Sequence, residues 1–232
     1  MTLGRRAAAE AVGTAMLLAA VVGSGIMGDR LSGGNVALAL LANALATGAA
    51  LVALIVTFGP ISGAHFNPAV TIADATQGGL PWRDAGPYVA CQVIGAVAGV
   101  AIAHLMFGEA VFSVSRHVRY GAAQLLSEFV ATFGLVVVIL GCSRFRSGTA
   151  VAFAVGAYIT AAYWFTASTS FANPAVTLAR SLTDTFAGIR PTDVPGFVVV
   201  QFVGAWAATA FFRWLAPMET REHVVPYVGA RA

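Results

Sequence analysis

The chain has 232 residues, 58% of them hydrophobic and only 10% charged, and its formal net charge of +3 rests on 13 arginines and no lysine. A soluble domain carries roughly 25% charged residues, so these charges could not cover a water-exposed surface; the solvent is a bilayer. No nucleic-acid partner is read into the small positive balance.

In chain order, Arg5 and Arg6 precede an apolar run, Ala7–Met27, that is long enough to span a membrane and is not a cleavable signal peptide. The second span is Val36–Phe58. Gly59–Phe66 is expected to be extended, and Pro68–Gln77 to form a helix of about ten residues, or roughly 15 Å, which crosses half a bilayer. The third span is Pro87–Phe107, with His104 near its end at the interface. Ala122–Gly141 and Thr149–Ser168 are the fourth and fifth spans, followed by an extended stretch, Ala167–Ala172, and a second short helix, Pro174–Thr183. The sixth span is Pro195–Leu215, and residues 216–232 form a tail. Cys91 and Cys142 read as small, buried, unpaired residues.

The two halves repeat within a single domain, over approximately residues 7–107 and 122–215. Asn67-Pro68-Ala69 and Asn173-Pro174-Ala175 both continue Val-Thr. Glu10 in the first span matches Glu128 in the fourth, and Gln92 matches Gln201. Three spans per half is an odd number, so the second half enters the membrane inverted. The predicted fold is all-α, with six transmembrane helices and two re-entrant half-helices meeting head to head near the midplane. With the N-terminus cytoplasmic, Arg5, Arg6, Arg83, Arg144, Arg146, Arg213, Arg221 and Arg231 fall inside. Arg30, Arg116, Arg119, Arg180 and Arg190 fall outside, the expected bias. Both termini are therefore expected in the cytoplasm.

Each proline stands first in its half-helix, where its missing N–H costs nothing. The asparagine before it can cap the helix with its side-chain oxygen, leaving its NH₂ as a donor to the lumen. Two positive helix ends meet there, an arrangement that favours a neutral hydrogen-bond acceptor and repels cations. Glu10 and Glu128 are expected to accept bonds from backbone N–H groups of the re-entrant loops; a proton relay is the sharper alternative. His65 is expected to line the cytoplasmic side of the lumen, with a pH gate as the alternative. No nucleophile–base or metal-ligand constellation is evident, so neither enzymatic activity nor a metal or cofactor is expected.

These motifs, with Ser62–Val70 reading SGAHFNPAV, resemble the aquaporin and aquaglyceroporin (major intrinsic protein) family over essentially Ala7–Leu215. The resemblance implies a pore in every subunit, a homotetramer in a lipid bilayer (for a bacterium, the inner membrane) and passive transport of water or small neutral solutes. It also implies a selectivity filter, which counting from the motifs puts at Thr47, Ala161, Ser170 and Val176; Tyr163 and Trp164 compete with Ala161, and Phe171 lies beside Ser170. Family members nearly always carry arginine where this chain has Val176. The pattern is similar to arsenic-resistance-linked bacterial aquaglyceroporins, which have a small apolar residue there. A wide, uncharged filter implies passage of polyols and of trigonal hydroxides such as arsenous acid. A plain water or glycerol channel and a structural or junctional membrane protein are the competing readings. Arg180, one turn after Val176, either supplies charge to the outer vestibule or only reaches headgroups or Asp184.

Overall fold

A computed structural model describes residues 1–217. In chain order the helices are α1 (Leu3–Leu31), α2 (Val36–Ser62), α3 (Pro68–Thr76), α4 (Trp82–Phe107), α5 (Ala122–Phe145), α6 (Gly148–Phe165), α7 (Pro174–Ala179) and α8 (Val194–Leu215). All but α3 and α7 are long and apolar enough to cross a membrane, six spans among the described residues. The predicted tail beyond Pro217, with Arg221 and Arg231, lies outside the described residues.

Five of the eight helices, α1, α2, α3, α6 and α7, begin at a residue whose side chain accepts one of their free N–H groups. Asn35 Oδ1 accepts from Leu38 N at 3.2 Å at the start of α2, and Ser147 Oγ accepts from Ala150 N at 3.4 Å at the start of α6. Several spans outrun their predicted limits. α2 continues through Pro60 and stops only at Gly63, whose φ of 91° few other residues adopt. The extended stretch expected from Gly59 is therefore replaced by a short non-helical loop over residues 63–67. α4 starts before Pro87 and carries that proline inside it, which membrane helices tolerate because neighbours re-satisfy the freed carbonyl. α7 is only six residues long and passes into a 3₁₀ turn at Arg180–Leu182.

The packing repeats across the halves. α1 lies against α4 and α2, as α5 lies against α8 and α6, while α2 and α6 join the halves. Small residues set these crossings, because helices in lipid associate by close backbone approach. Gly95 and Gly99 of α4 face the carbonyls of Ala11 and Ala15 on α1. Gly204 of α8 faces the Phe129 carbonyl on α5, and a Cβ there would sit 2.7 Å from that oxygen. Gly95 follows Gln92 by three residues, and Gly204 follows Gln201 by three, so the crossings belong to the repeat. Outward faces carry large apolar residues such as Ile94, Leu105, Val199 and Trp206, all mostly exposed.

Two expectations change. His104 is fully buried, not interfacial: Nε2 lies 2.7 Å from Thr183 Oγ1 and Nδ1 2.6 Å from the Ala110 carbonyl. The cause is the α4–α5 connection, which folds back over the end of α7. It is pinned there by Ser113 N to Leu182 O (3.0 Å), Ser115 N to Ser181 O (3.0 Å) and Arg190 N to His117 O (2.7 Å). Cys91 and Cys142 are unpaired but half-buried rather than buried.

Gly204→Ala forces α5 and α8 apart, and overpacking of this kind costs about 1–3 kcal/mol. The unfolding midpoint in detergent should fall accordingly; a midpoint equal to wild type would show that the crossing is looser than this geometry.

Candidate functional site

The half-helices α3 and α7 start at the centre of the molecule and run to opposite faces. Asn67 Oδ1 caps α3 by accepting from Ala69 N at 2.9 Å. Asn173 Oδ1 caps α7, accepting from Ala175 N at 3.0 Å and Val176 N at 3.3 Å. Pro68 and Pro174 occupy the first helical positions, and Ala69 and Ala175 are fully buried where the two helices meet. The amide groups do more than expected. Asn67 Nδ2 donates to the Ala172 carbonyl at 2.7 Å, and Asn173 Nδ2 donates to the Phe66 carbonyl at 2.8 Å. Each half thus closes the loop of the other. An amide NH₂ has two hydrogens, so one per asparagine is committed to this exchange and one is left for the cavity.

The loops leading in are strained. Ala64 and Phe66 before Asn67, and Thr169, Ser170 and Ala172 before Asn173, have φ between 48° and 60°. A left-handed L-residue costs roughly 1–2 kcal/mol. Buried carboxylates hold these loops. Glu10 accepts from His65 N (3.0 Å), Phe66 N (2.7 Å), Ser62 Oγ (2.6 Å) and Gln92 Nε2 (2.8 Å). Glu128 accepts from Phe171 N (2.9 Å), Ala172 N (2.8 Å) and Gln201 Nε2 (2.6 Å). Both carboxylates are fully buried, and neither is among the residues that line the cavity, where a relay would have to stand. The threonines of the two Asn-Pro-Ala-Val-Thr copies were not singled out from sequence, although the repeat displays them. Thr71 Oγ1 and Thr177 Oγ1 each accept from the matching glutamine at 2.8 Å and donate back to the cap-residue carbonyl.

A cavity of about 420 Å³ passes both asparagines. Towards the face where α1 begins it is lined by Arg6, Asp74, Gly79 and His65; towards the opposite face by Thr47, Tyr163, Ser170, Val176 and Arg180. His65 Nδ1 lies 3.2 Å from Thr71 Oγ1 and Nε2 3.6 Å from Asp74 Oδ2. Ala161 is displaced from the expected set: it is exposed on the outer surface of α6. Two residues on, a turn of about 200° brings Tyr163 to the cavity, where its hydroxyl lies 3.2 Å from Thr47 Oγ1. Trp164 is also exposed. The wall therefore holds an aromatic hydroxyl where a small apolar residue was expected.

Arg180 is not a surface residue. It is 2% exposed, its Nε donates to the Ala187 carbonyl, and its guanidinium lies 3.4 Å from the Phe171 ring centroid. Asp184, the partner considered for it, is taken by Arg116, whose backbone N and Nε donate to it at 2.8 Å and 2.7 Å. Those bonds hold the Asp184 carboxyl below its ordinary pKa. Phe171 faces a second guanidinium, Arg119, at 4.8 Å. Arg119 in turn donates to the carbonyls of Gly188 (2.8 Å) and Ser168 (3.0 Å). Burial lowers its pKa to about 10, leaving it charged at neutral pH.

Glu128→Ala leaves three donors without an acceptor, each worth about 1–3 kcal/mol when buried and unpaired. A stability loss of about 3 kcal/mol or more is expected in detergent unfolding, with Glu10→Ala behaving alike. Wild-type stability in both variants would mean that the loops do not depend on the carboxylates.

Residues 1–147 match the family model described as major intrinsic protein. The chain is similar to "Aquaglyceroporin AqpS" of Rhizobium meliloti (strain 1021), with 60% identity over 92% of this chain and 91% of that protein. It is also similar to "Probable aquaporin AqpM" of Archaeoglobus fulgidus, with 33% identity over 93% of this chain and 98% of the relative. Among solved structures, the aquaglyceroporin from Plasmodium falciparum matches with a TM-score of 0.74 at 22% identity, covering 91% of this chain and 96% of that one, which shows the shared fold. With its re-entrant half-helices, central cavity and six spans, the chain belongs to the major intrinsic protein family: it is an integral membrane channel and not an enzyme.

Proposed function

We propose that the chain is a passive channel for small neutral solutes, namely water, glycerol and trigonal hydroxides such as arsenous acid. The observation that carries this reading is the cavity itself. Its centre holds two asparagine donors at two converging helix N-termini, and its wall has valine at position 176. A guanidinium close to the Asn pair would narrow the lumen and add fixed charge; valine does neither. Fixed positive helix ends disfavour cations while hydrogen-bonding neutral oxygens. The similarity to aquaglyceroporins supports glycerol as a substrate. Arsenite rests on the absence of arginine at position 176. Resemblance to the family supports a homotetramer in a bacterial inner membrane. The family resemblance implies a pore in every subunit, and the cavity lies between helices of a single chain. The arginine distribution supports cytoplasmic termini.

Proteoliposome swelling in glycerol, urea and arsenite gradients tests the reading. Flux of all three is expected. Water and glycerol flux alone would make this an ordinary aquaglyceroporin, and no flux of any solute would leave a structural role.

Val176→Arg should lower glycerol and arsenite permeability more than water permeability. An unchanged solute-to-water ratio would remove Val176 from the constriction. Asn173→Asp places a carboxylate at the helix ends and should raise cation conductance; conductance equal to wild type would count against the electrostatic centre.

A further inference from the structure

Position 176 carries no charge, yet a guanidinium lines the same cavity. Val176 and Arg180 are four residues apart along α7 and the turn that follows, a step of about 6 Å away from the asparagines. Two contacts fix the side chain, which is 2% exposed: the Ala187 carbonyl takes Nε, and the Phe171 ring lies against the guanidinium face. Arg119 packs near the same ring at 4.8 Å and is itself tied to two carbonyls, so Phe171 is not free to swing away. The terminal nitrogens of Arg180 make no hydrogen bond among the described residues, and the residue lines the cavity.

A second, independent feature lies on the same wall. Ser170 is 3% exposed, and its Oγ is buried without a hydrogen-bond partner among the described residues. A buried unpartnered hydroxyl is costly unless something else satisfies it. Ser170 lines the cavity together with Tyr163 and Thr47, whose hydroxyls lie 3.2 Å apart. Cation, free hydroxyl and hydroxyl pair thus come from separate segments of chain and share one end of the lumen.

We propose that Arg180, one helical turn outside position 176, supplies the charge and donors that position 176 lacks, and that together with Ser170 and the Tyr163–Thr47 pair of the same cavity it selects small neutral polyhydroxy solutes over cations. The guanidinium donates to solute oxygens, and the hydroxyls donate or accept as the solute requires. Two tasks that one arginine could perform together are separated here. Val176 leaves the lumen wide, and Arg180 keeps a fixed positive charge in the path of cations. This inference rests on the channel reading above and concerns only where its selectivity resides.

The test uses the full chain in proteoliposomes, with glycerol as the probe solute and potassium as the probe cation. Arg180→Ala should raise the potassium leak several-fold at low salt and less at high salt, where screening is stronger. The double variant Val176→Arg/Arg180→Ala returns an arginine to the same lumen and should bring the leak back towards wild type. Ser170→Ala removes an atom that holds no bond among the described residues, so the fold is expected to be retained. Loss of one solute hydrogen bond should lower the glycerol-to-water permeability ratio by roughly two- to tenfold. A leak in Arg180→Ala equal to wild type at both salt concentrations overturns the proposal, as does a double variant that leaks like the single one. If Arg180→Ala does not insert as folded protein, Ser170→Ala decides alone, and an unchanged ratio overturns the subsite. Wild-type liposomes that pass no glycerol would defeat the channel reading instead.

Discussion

Between residues 63 and 67, and again between 166 and 173, the backbone leaves the helix at membrane depth. No lipid group can hydrogen-bond an exposed N–H or C=O there, and each unpaired group costs several kcal/mol. The organisation of the centre follows from that constraint. Glu10 and Glu128 were each placed inside an apolar span so that a carboxylate, which accepts several bonds at once, could take up the loop amides. A buried carboxylate is itself expensive, and it is tolerable because glutamine and loop donors surround it. Carboxylate, loop and glutamine stabilise one another as a set, so none of the three is a local feature.

The two repeats satisfy this constraint with different surroundings. α3 runs nine residues and ends in open turns near Asp74, while α7 runs six and is capped by the folded-back α4–α5 connection. The first half therefore places His65 and Asp74 at one mouth of the cavity, and the second places Arg180 and the Arg119–Phe171 contact at the other. Pseudo-symmetry of the backbone coexists with a chemically polar lumen. The hydroxyls of Thr47, Tyr163 and Ser170 lie at the Arg180 end of the cavity.

What the sequence disclosed was set by local patterns. Spans, half-helices and the asparagine caps are legible because hydrophobic length, Asn-Pro and the repeated Glu and Gln act through neighbouring residues. The position of Ala161 was not, because its assignment counted backwards across the loop after α6, and a two-residue error turns a helix position to its far side. Arg180 shows the same limit in another form. A charged residue near the end of a membrane segment is ordinarily a surface anchor. The Ala187 carbonyl and the Phe171 ring that hold it inside are brought to it by a loop whose path no short motif announces. His104 was misplaced for the same reason: the connection that buries it begins beyond the span that contains it.

The exchange of side-chain bonds between the asparagines has a consequence for how the molecule is made. Asn67 pairs with a carbonyl 105 residues later, and Asn173 with one 107 residues earlier. Contacts this distant in sequence form late, since the intervening chain must be ordered first. While the first half waits in the bilayer during synthesis, its Asn67 amide and its Phe66 carbonyl lack their final partners. Neither repeat alone is a finished unit, and the lumen closes as a cooperative last step once the second inverted half has inserted.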